Sequence, residues 1–358
     1  MSIPTNNLYN FVAQALENKF LIKYFYPWGE KGFVNLINNT EDKILIDQEY
    51  KFPNHNITNV PVVLCHDQEP LHFDLYNDTN MLEQLDNLQS RKNIKYFLNK
   101  KSPPKKYKNM NLRWTHPTNT QDTWILLHSE LNSDEVKKYQ NTGLFKCAYW
   151  WSHAIISRDW YRFADYDKRL QIQSQDIKAN WLVYARGQDG NRSYRKEFLK
   201  NLTHIDSVQV GSFARYEVSG GSSATYDHYD FTHTNCSIVL ETIFDQRIHL
   251  TEKTLRPIAC GHPFIILNGP GTLEKIRSYG FKTFEPYIDE SYDKEQSSKK
   301  RMEMVLGEMH RINKASLKDQ NHIWNSCRKI AQHNKRLFFN EKFISSIKAE
   351  LTNAVFSI

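Results

Sequence analysis

Apolar positions along this chain fall into short runs separated by polar connections. In the first part, Phe20-Leu21-Ile22, Val60-Pro61-Val62-Val63-Leu64-Cys65 and Thr123-Trp124-Ile125-Leu126-Leu127-His128 stand among Asn-rich segments, and each reads as a β-strand. The third ends in Ser129-Glu130-Leu131-Asn132, and Ser133-Asp134-Glu135 then starts a helix. From Trp181 the pattern sharpens. Trp181-Leu182-Val183-Tyr184-Ala185 is a buried strand and Gly187-Gln188-Asp189-Gly190-Asn191 a loop. Tyr194, Phe198, Leu199 and Leu202 then follow at helical spacing, and Ser207-Val208-Gln209-Val210 is a strand again. Further on, Cys236-Ser237-Ile238-Val239-Leu240 predicts a strand, residues 252 to 260 a helix, and His262 to Leu267 a strand. Leu273 to Tyr279 predicts a helix closed by Gly280. Such alternation predicts parallel sheets covered by helices. The tail from about 294 to 358, opening on Lys294-Glu295-Gln296-Ser297-Ser298-Lys299-Lys300-Arg301, is helical in pattern.

The length of 358 residues suits two cores of ordinary size. We therefore expect an α/β fold of two Rossmann-like domains with a terminal helical segment across them. The natural ligand site of such a fold is the cleft at the strand carboxyl ends. No run of roughly 18 apolar residues occurs, and Met1-Ser2-Ile3-Pro4-Thr5-Asn6-Asn7 lacks the basic-then-apolar layout of a signal peptide. Cytoplasmic residence without a membrane span is the expectation. The five cysteines, Cys65, Cys147, Cys236, Cys260 and Cys327, are widely separated and contain no C-x-x-C pair, so they read as reduced thiols. The 47 basic and 40 acidic residues leave a net charge of +7, a mild bias that suits a polyanion or an anionic nucleotide. The aromatic clusters Tyr149-Trp150-Trp151 and Trp160-Tyr161-Arg162-Phe163 read first as core.

Candidate chemistry concentrates around Leu250-Thr251-Glu252-Lys253-Thr254-Leu255-Arg256-Pro257. Thr251 can cap the helix that follows, and Glu252 and Lys253 then fall in its first turn while Leu255, Ile258 and Ala259 share the buried face. A helix start at the carboxyl edge of a parallel sheet suits a diphosphate, with Lys253 adding charge and Glu252 accepting from ribose hydroxyls. Glu241 ends the preceding strand. Arg186, Arg192 and Arg195 surround the loop and first turn of the earlier βα unit, where an arginine can clamp a phosphate. Neither G-x-G-x-x-G after the Trp181 strand nor G-x-x-x-x-G-K-[ST] anywhere is present, which disfavours dinucleotide-fingerprint and P-loop binding. In the first part, the Val62 strand delivers His66, Asp67 and Glu69 to its carboxyl end, and residues two apart on a strand share a face. His128 and His153 lie near other strand ends and are candidates for the acceptor side. Asp165-Tyr166-Asp167 has D-x-D spacing but follows no buried strand, so no metal is expected. Gly220-Gly221-Ser222-Ser223 is a flexible loop.

The run Glu241…Leu250-Thr251-Glu252-Lys253, preceded by Asn191-Arg192-Ser193-Tyr194-Arg195-Lys196-Glu197-Phe198…Leu202, resembles the donor-binding half of the α1,3-fucosyltransferase family, inverting enzymes of the two-domain GT-B fold. The resemblance covers roughly residues 181 to 285. Thr242 stands where the family has Asn, and Leu250 where an aromatic or valine is common. It implies an acceptor-binding domain over 1–160, a nucleotide-sugar domain over 161–330, and a final helix, 331–358, returning to the first. Arg195 best fits the family's phosphate arginine, and Asp67 takes the place of its catalytic glutamate, with Glu69 second. The implied reaction is inverting transfer from a UDP- or GDP-sugar co-substrate to an acceptor hydroxyl, with no permanently bound cofactor. A glycan acceptor follows from the resemblance. A hydroxymethylated pyrimidine in double-stranded DNA, as in a viral or phage enzyme, is the alternative suited to the positive charge. A non-catalytic nucleotide- or DNA-binding protein is the rival class.

Overall fold

The computed structural model describes residue 8 and residues 11–17, 19–25, 62–66, 70–71, 124–141, 145–171, 174–211 and 222–358. The chain divides into two compact units. One comprises Met1–Ser129, Ser133–Ser152 and Lys348–Ile358, the other Glu130–Asn132 and His153–Ile347.

The first unit holds a four-stranded sheet of β1 (Leu21–Phe25), β2 (Val62–His66), β3 (Trp124–His128) and β4 (Phe145–Tyr149), in the order β1-β2-β3-β4. All pairs are parallel. The successive apolar residues Ile125, Leu126 and Leu127 are all buried, as expected of an inner parallel strand covered on both faces. Between β3 and β4 runs α1 (Asp134–Asn141), with Asp134 and Glu135 in its first turn, where the helix dipole favours negative charge. Its buried Tyr139 meets the edge of Phe145 at 5.5 Å. Trp150 and Trp151 are core residues. Phe11 stacks on Trp150, and the Trp151 amide donates to Glu350 Oε2 at 2.8 Å.

The second unit has its own parallel sheet, built from β5 (Ala179–Val183), β6 (Val208–Val210), β7 (Thr234–Leu240) and β8 (Phe264–Leu267), in the order β8-β7-β5-β6. Every residue of β5, β7 and β8 is buried. Helix α2 (Ser152–Trp160) precedes β5, α3 (Tyr194–Leu202) joins β5 to β6, and α4 (His228–Thr232) leads into β7. Helix α5 (Glu252–Cys260) joins β7 to β8, and α6 (Thr272–Ser278) follows. The chain ends in α7 (Ser298–Lys314), α8 (Leu317–Phe338) and α9 (Glu341–Phe356). From β5 the chain moves to β6 on one side, then returns to β7 on the other. The loops leaving the carboxyl ends of β5 and β7 therefore diverge, which makes the space between them the topological switch point of the sheet. A two-residue antiparallel pair, Glu130–Leu131 with Ile248–His249, lies in the same unit.

The C-terminal helices are held to the sheet by a polar network at the start of β5. Asn180 Nδ2 donates to Asn313 Oδ1 at 2.9 Å and Gln320 Oε1 at 3.1 Å, while its Oδ1 accepts from Asn235 and from the Trp324 indole. Trp181 Nε1 also donates to Asn313 Oδ1. With its partners supplied, this cluster avoids the cost of about 1–3 kcal/mol for each buried polar group left unsatisfied. Among the described residues no helix is long and apolar enough to cross a membrane.

Candidate functional site

At the carboxyl edge of the second sheet, Glu241 is the hub. It follows the last residue of β7 and is wholly buried. Its Oε1 accepts from the Thr251 amide at 3.0 Å and the Thr254 hydroxyl at 2.7 Å. Its Oε2 accepts from the Thr251 hydroxyl at 2.6 Å and the Thr242 amide at 3.3 Å. The carboxylate thus ties the strand end to the start of α5 and closes the 242–250 loop. Thr251 then caps the helix through its hydroxyl, which accepts from the Lys253 amide at 3.3 Å. Glu241, expected among the donor-binding residues, is hydrogen-bonded within the protein through both oxygens and holds the first turn of α5.

That turn carries the buried Glu252 and the half-buried Lys253. Lys253 Nζ donates to Glu252 Oε1 at 2.8 Å, Thr242 Oγ1 at 3.1 Å and Thr251 Oγ1 at 3.3 Å. Burial alone would raise the pKa of Glu252, but Lys253, His153 and Arg256 together outweigh it and hold the carboxyl well below the usual range. Glu252 is therefore an ionised acceptor at neutral pH.

Arg195, expected as the phosphate arginine, is buried at the same junction. Only 1% of it is exposed. Its Nη1 donates to the carbonyls of Arg186 and Gly187, and its Nη2 to those of Leu240 and Glu241 at 2.8 Å each. The guanidinium fork is taken up by carbonyls from both diverging loops. It forms the floor of the switch point. All four of these acceptors are neutral, so the full positive charge of Arg195 remains beneath the crevice. Tyr194 supports the same junction, its hydroxyl donating to the Glu241 carbonyl at 2.6 Å and its ring packing on Phe244. Arg186 and Arg192 belong to the loop above Arg195, with the Arg192 side chain packed near Gly187, whose φ is +64°.

His153, expected on the acceptor side, lies instead with the donor candidates. It is in the first turn of α2, 1% exposed, with Nδ1 at 3.8 Å from Glu252 Oε2 and its ring edge against His249 at 5.2 Å. Burial lowers its pKa to about 4, against the attraction of Glu252, so the imidazole is neutral. His128 is a buried residue at the end of β3 in the first unit, its carbonyl accepting from the Trp150 amide and its ring against Tyr149. His66 ends β2, opposite Phe25. Asp67 and Glu69 lie outside the described residues, as do Gly220 and Gly221. The D-x-D segment is engaged locally. Asp167 accepts from Arg169 through both oxygens at 2.8 Å and from the Tyr226 hydroxyl at 3.1 Å, and the Arg169 contact holds its pKa down to about 2.

Three further residues shape the site without having been singled out in the sequence. Thr254 completes the donors around Glu241. Asn268 bonds both backbone groups of His249, accepting from its amide at 3.5 Å and donating to its carbonyl at 3.2 Å. Gly269 lies so close to the 246–247 backbone that a Cβ would stand 2.1 Å from the Arg247 carbonyl oxygen. The signal for the last two was Asn268-Gly269-Pro270-Gly271 directly after a buried strand.

No protein-family model and no curated protein matches the chain. Among solved structures it is similar to a DNA-modifying enzyme, β-glucosyltransferase, determined in the presence and absence of uridine diphosphoglucose. The TM-score is 0.41 and the identity 7%, over 97% of this chain and 93% of that one. A likeness at that level leaves the site to be read from its own geometry.

Proposed function

We propose that this protein is a nucleotide-sugar-dependent, inverting glycosyltransferase of the GT-B type, with its donor bound at the switch point of the second unit. The observation that carries the reading is the convergence of two positive features there. The amide end of α5 presents Lys253, and the buried guanidinium of Arg195 lies under the loops after β5 and β7. Among the described residues the Arg195 guanidinium donates to neutral carbonyls, and a diphosphate above it adds a negative partner that offsets the cost of burying the charge.

In this reading the diphosphate accepts from Lys253 and the first amides of α5. Glu252, kept ionised, accepts from the ribose hydroxyls. As the bond from anomeric carbon to diphosphate breaks, the growing charge on the leaving oxygen is met by Lys253, the helix end and Arg195, all in place beforehand. The acceptor hydroxyl attacks from the opposite face and gives its proton to a carboxylate, which we assign to Asp67, with Glu69 second. The α1,3-fucosyltransferase-like order Glu…Thr-Glu-Lys supports the donor assignment. Thr242 and Leu250 bear on which base and sugar are taken.

The test is incubation with a panel of UDP- and GDP-sugars against glycan acceptors and hydroxymethylcytosine-containing duplex DNA, followed by mass measurement of the glycans and digested nucleosides. A hexose- or pentose-sized gain on one acceptor, lost in Lys253→Ala, is the expected result. Nucleotide binding without transfer to any acceptor points to the non-catalytic class. Absence of nucleotide binding overturns the site.

A further inference from the structure

At the opposite, amino-terminal edge of the second sheet is a cavity of about 350 Å³. One wall is a face of α8 carrying Arg328, Lys329, Gln332 and Arg336, and the other includes Leu170 and Gln171. Residues 328, 332 and 336 are one turn apart, so their side chains stack along a single line. Among the described residues no aspartate or glutamate lines the cavity. Arg328 is half-buried and donates to neutral amide oxygens, Asn235 Oδ1 and, at 3.3 Å, Asn325 Oδ1. Its Nε is buried without a hydrogen-bond partner. The carbonyl end of α5 also reaches this edge, but Gln332 Nε2 already donates to the Gly261 carbonyl at 3.4 Å. Three cations thus line a space whose described wall residues include no anion, which is the signature of an anion site.

The approach to the cavity indicates the kind of anion. Leu170 and Gln171 end a pair of short 3-10 turns, Arg162–Asp165 and Lys168–Gln171. These turns expose Phe163 by 64% and Tyr166 by 79%, with the Arg162 guanidinium 4.5 Å from the Phe163 ring centroid. Of the nearby carboxylates, Asp167 is taken up by Arg169 and Tyr226, Asp159 lies 3.5 Å from Arg162, and Asp165, between the two rings, acts on Lys335 of α8. A free phosphate has no use for exposed rings. A nucleic-acid strand does, because it alternates phosphates with flat bases that stack on aromatic side chains. We infer that this face binds a nucleic-acid strand, with a backbone phosphate in the Arg328 cavity and bases against Phe163 and Tyr166. The inference is separate from the donor site and does not depend on it.

The test is fluorescence anisotropy of the full chain with a labelled mixed-sequence 20-mer, single-stranded and duplex, over a salt series and without nucleotide sugar. Lys329 and Arg336 are exposed, so Lys329→Glu/Arg336→Glu leaves the fold intact. It is expected to weaken binding about tenfold or more and to reduce the salt slope by roughly two. Arg328→Gln is expected to act in the same direction. Phe163→Ala/Tyr166→Ala, which removes two stacking rings, should weaken single-strand binding by about thirtyfold or more. Unchanged binding in both double variants overturns the inference. So does binding of inorganic phosphate, read by isothermal calorimetry, by a protein that binds neither oligonucleotide. Because no sugar transfer is measured, failure here leaves the donor-site reading standing, and the reverse holds as well.

Discussion

Glu241 Oε2 accepts the Thr251 hydroxyl at 2.6 Å, so the residue that ends one strand holds the residue that starts the next helix. The placement of Lys253 and Glu252 depends on this contact, because Thr251 in turn accepts from the Lys253 amide and ammonium. A negative charge behind a helix N-terminus also complements the dipole, and it leaves the outward amides available for a ligand.

Replacing that carboxylate is expected to damage the fold before it damages chemistry. In Glu241→Gln one acceptor oxygen becomes an NH2 facing hydroxyl or amide donors in a wholly buried setting, with an expected cost of about 2–4 kcal/mol. Urea unfolding measures it. A loss under about 0.5 kcal/mol would show that the hub is not needed.

Lys253 and Glu252 should separate by the part of the nucleotide they serve. Lys253→Ala is expected to lower kcat/KM by about 100-fold or more, equivalent to roughly 2.7 kcal/mol of lost leaving-group stabilisation, and to lower Tm as well, because Lys253 is the nearest cation to the buried Glu252 carboxylate. Glu252→Gln should weaken ribonucleoside diphosphates while leaving their 2′-deoxy counterparts less affected. Equal losses for both sugars would remove Glu252 from the ribose.

The α/β layering was legible because strand-length apolar runs alternate with helix-spaced ones, and the start of α5 was legible because Thr251-Glu252-Lys253 combines a cap with charges in the first turn. The role of Arg195 was not legible. An arginine at a helix start has the same appearance in sequence whether its fork faces a phosphate or four carbonyls, and only the divergence of two loops decides between them. Helix α2 was missed for a related reason. Its aromatic-rich surroundings, from Tyr149 to Trp160, follow no clear helical period because residues on several sides are buried. His153 was therefore assigned by nearness to a strand end, whereas the helix carries it to Glu252.

Arg195→Lys tests the floor of the switch point. Lysine keeps the charge but has three donors on one atom in place of a planar fork, so it cannot span the carbonyls of Arg186, Gly187, Leu240 and Glu241 together. We expect a loss of about 2–4 kcal/mol in stability from carbonyls left without donors, with nucleotide affinity retained better than in Arg195→Met, where the charge is gone. If the two variants bind a nucleoside diphosphate equally, the buried charge contributes nothing to the site.

The pH dependence of stability follows from three buried groups. Burial lowers the pKa values of both His153 and His262 to about 4, below the unfolded value of about 6.5. Between these values the unfolded chain binds more protons than the fold, so stability is lost as pH falls from about 6.5 to 4, by an order of 3 kcal/mol for each imidazole. Glu252 adds a second, more acidic window. Its folded pKa is depressed, so its contribution is complete above the unfolded value of about 4.3 and is lost below it. Urea midpoints at pH 7.5, 6 and 5 should therefore fall steadily. His153→Gln should flatten that fall by about half, leaving the part due to His262, whose ring nitrogens lie 2.9 Å from the Ser237 hydroxyl and 3.1 Å from the Thr234 carbonyl. A wild-type protein equally stable at pH 7.5 and pH 5 would mean that His153 takes up its proton in the folded state, and so is not the neutral neighbour of Glu252 described here.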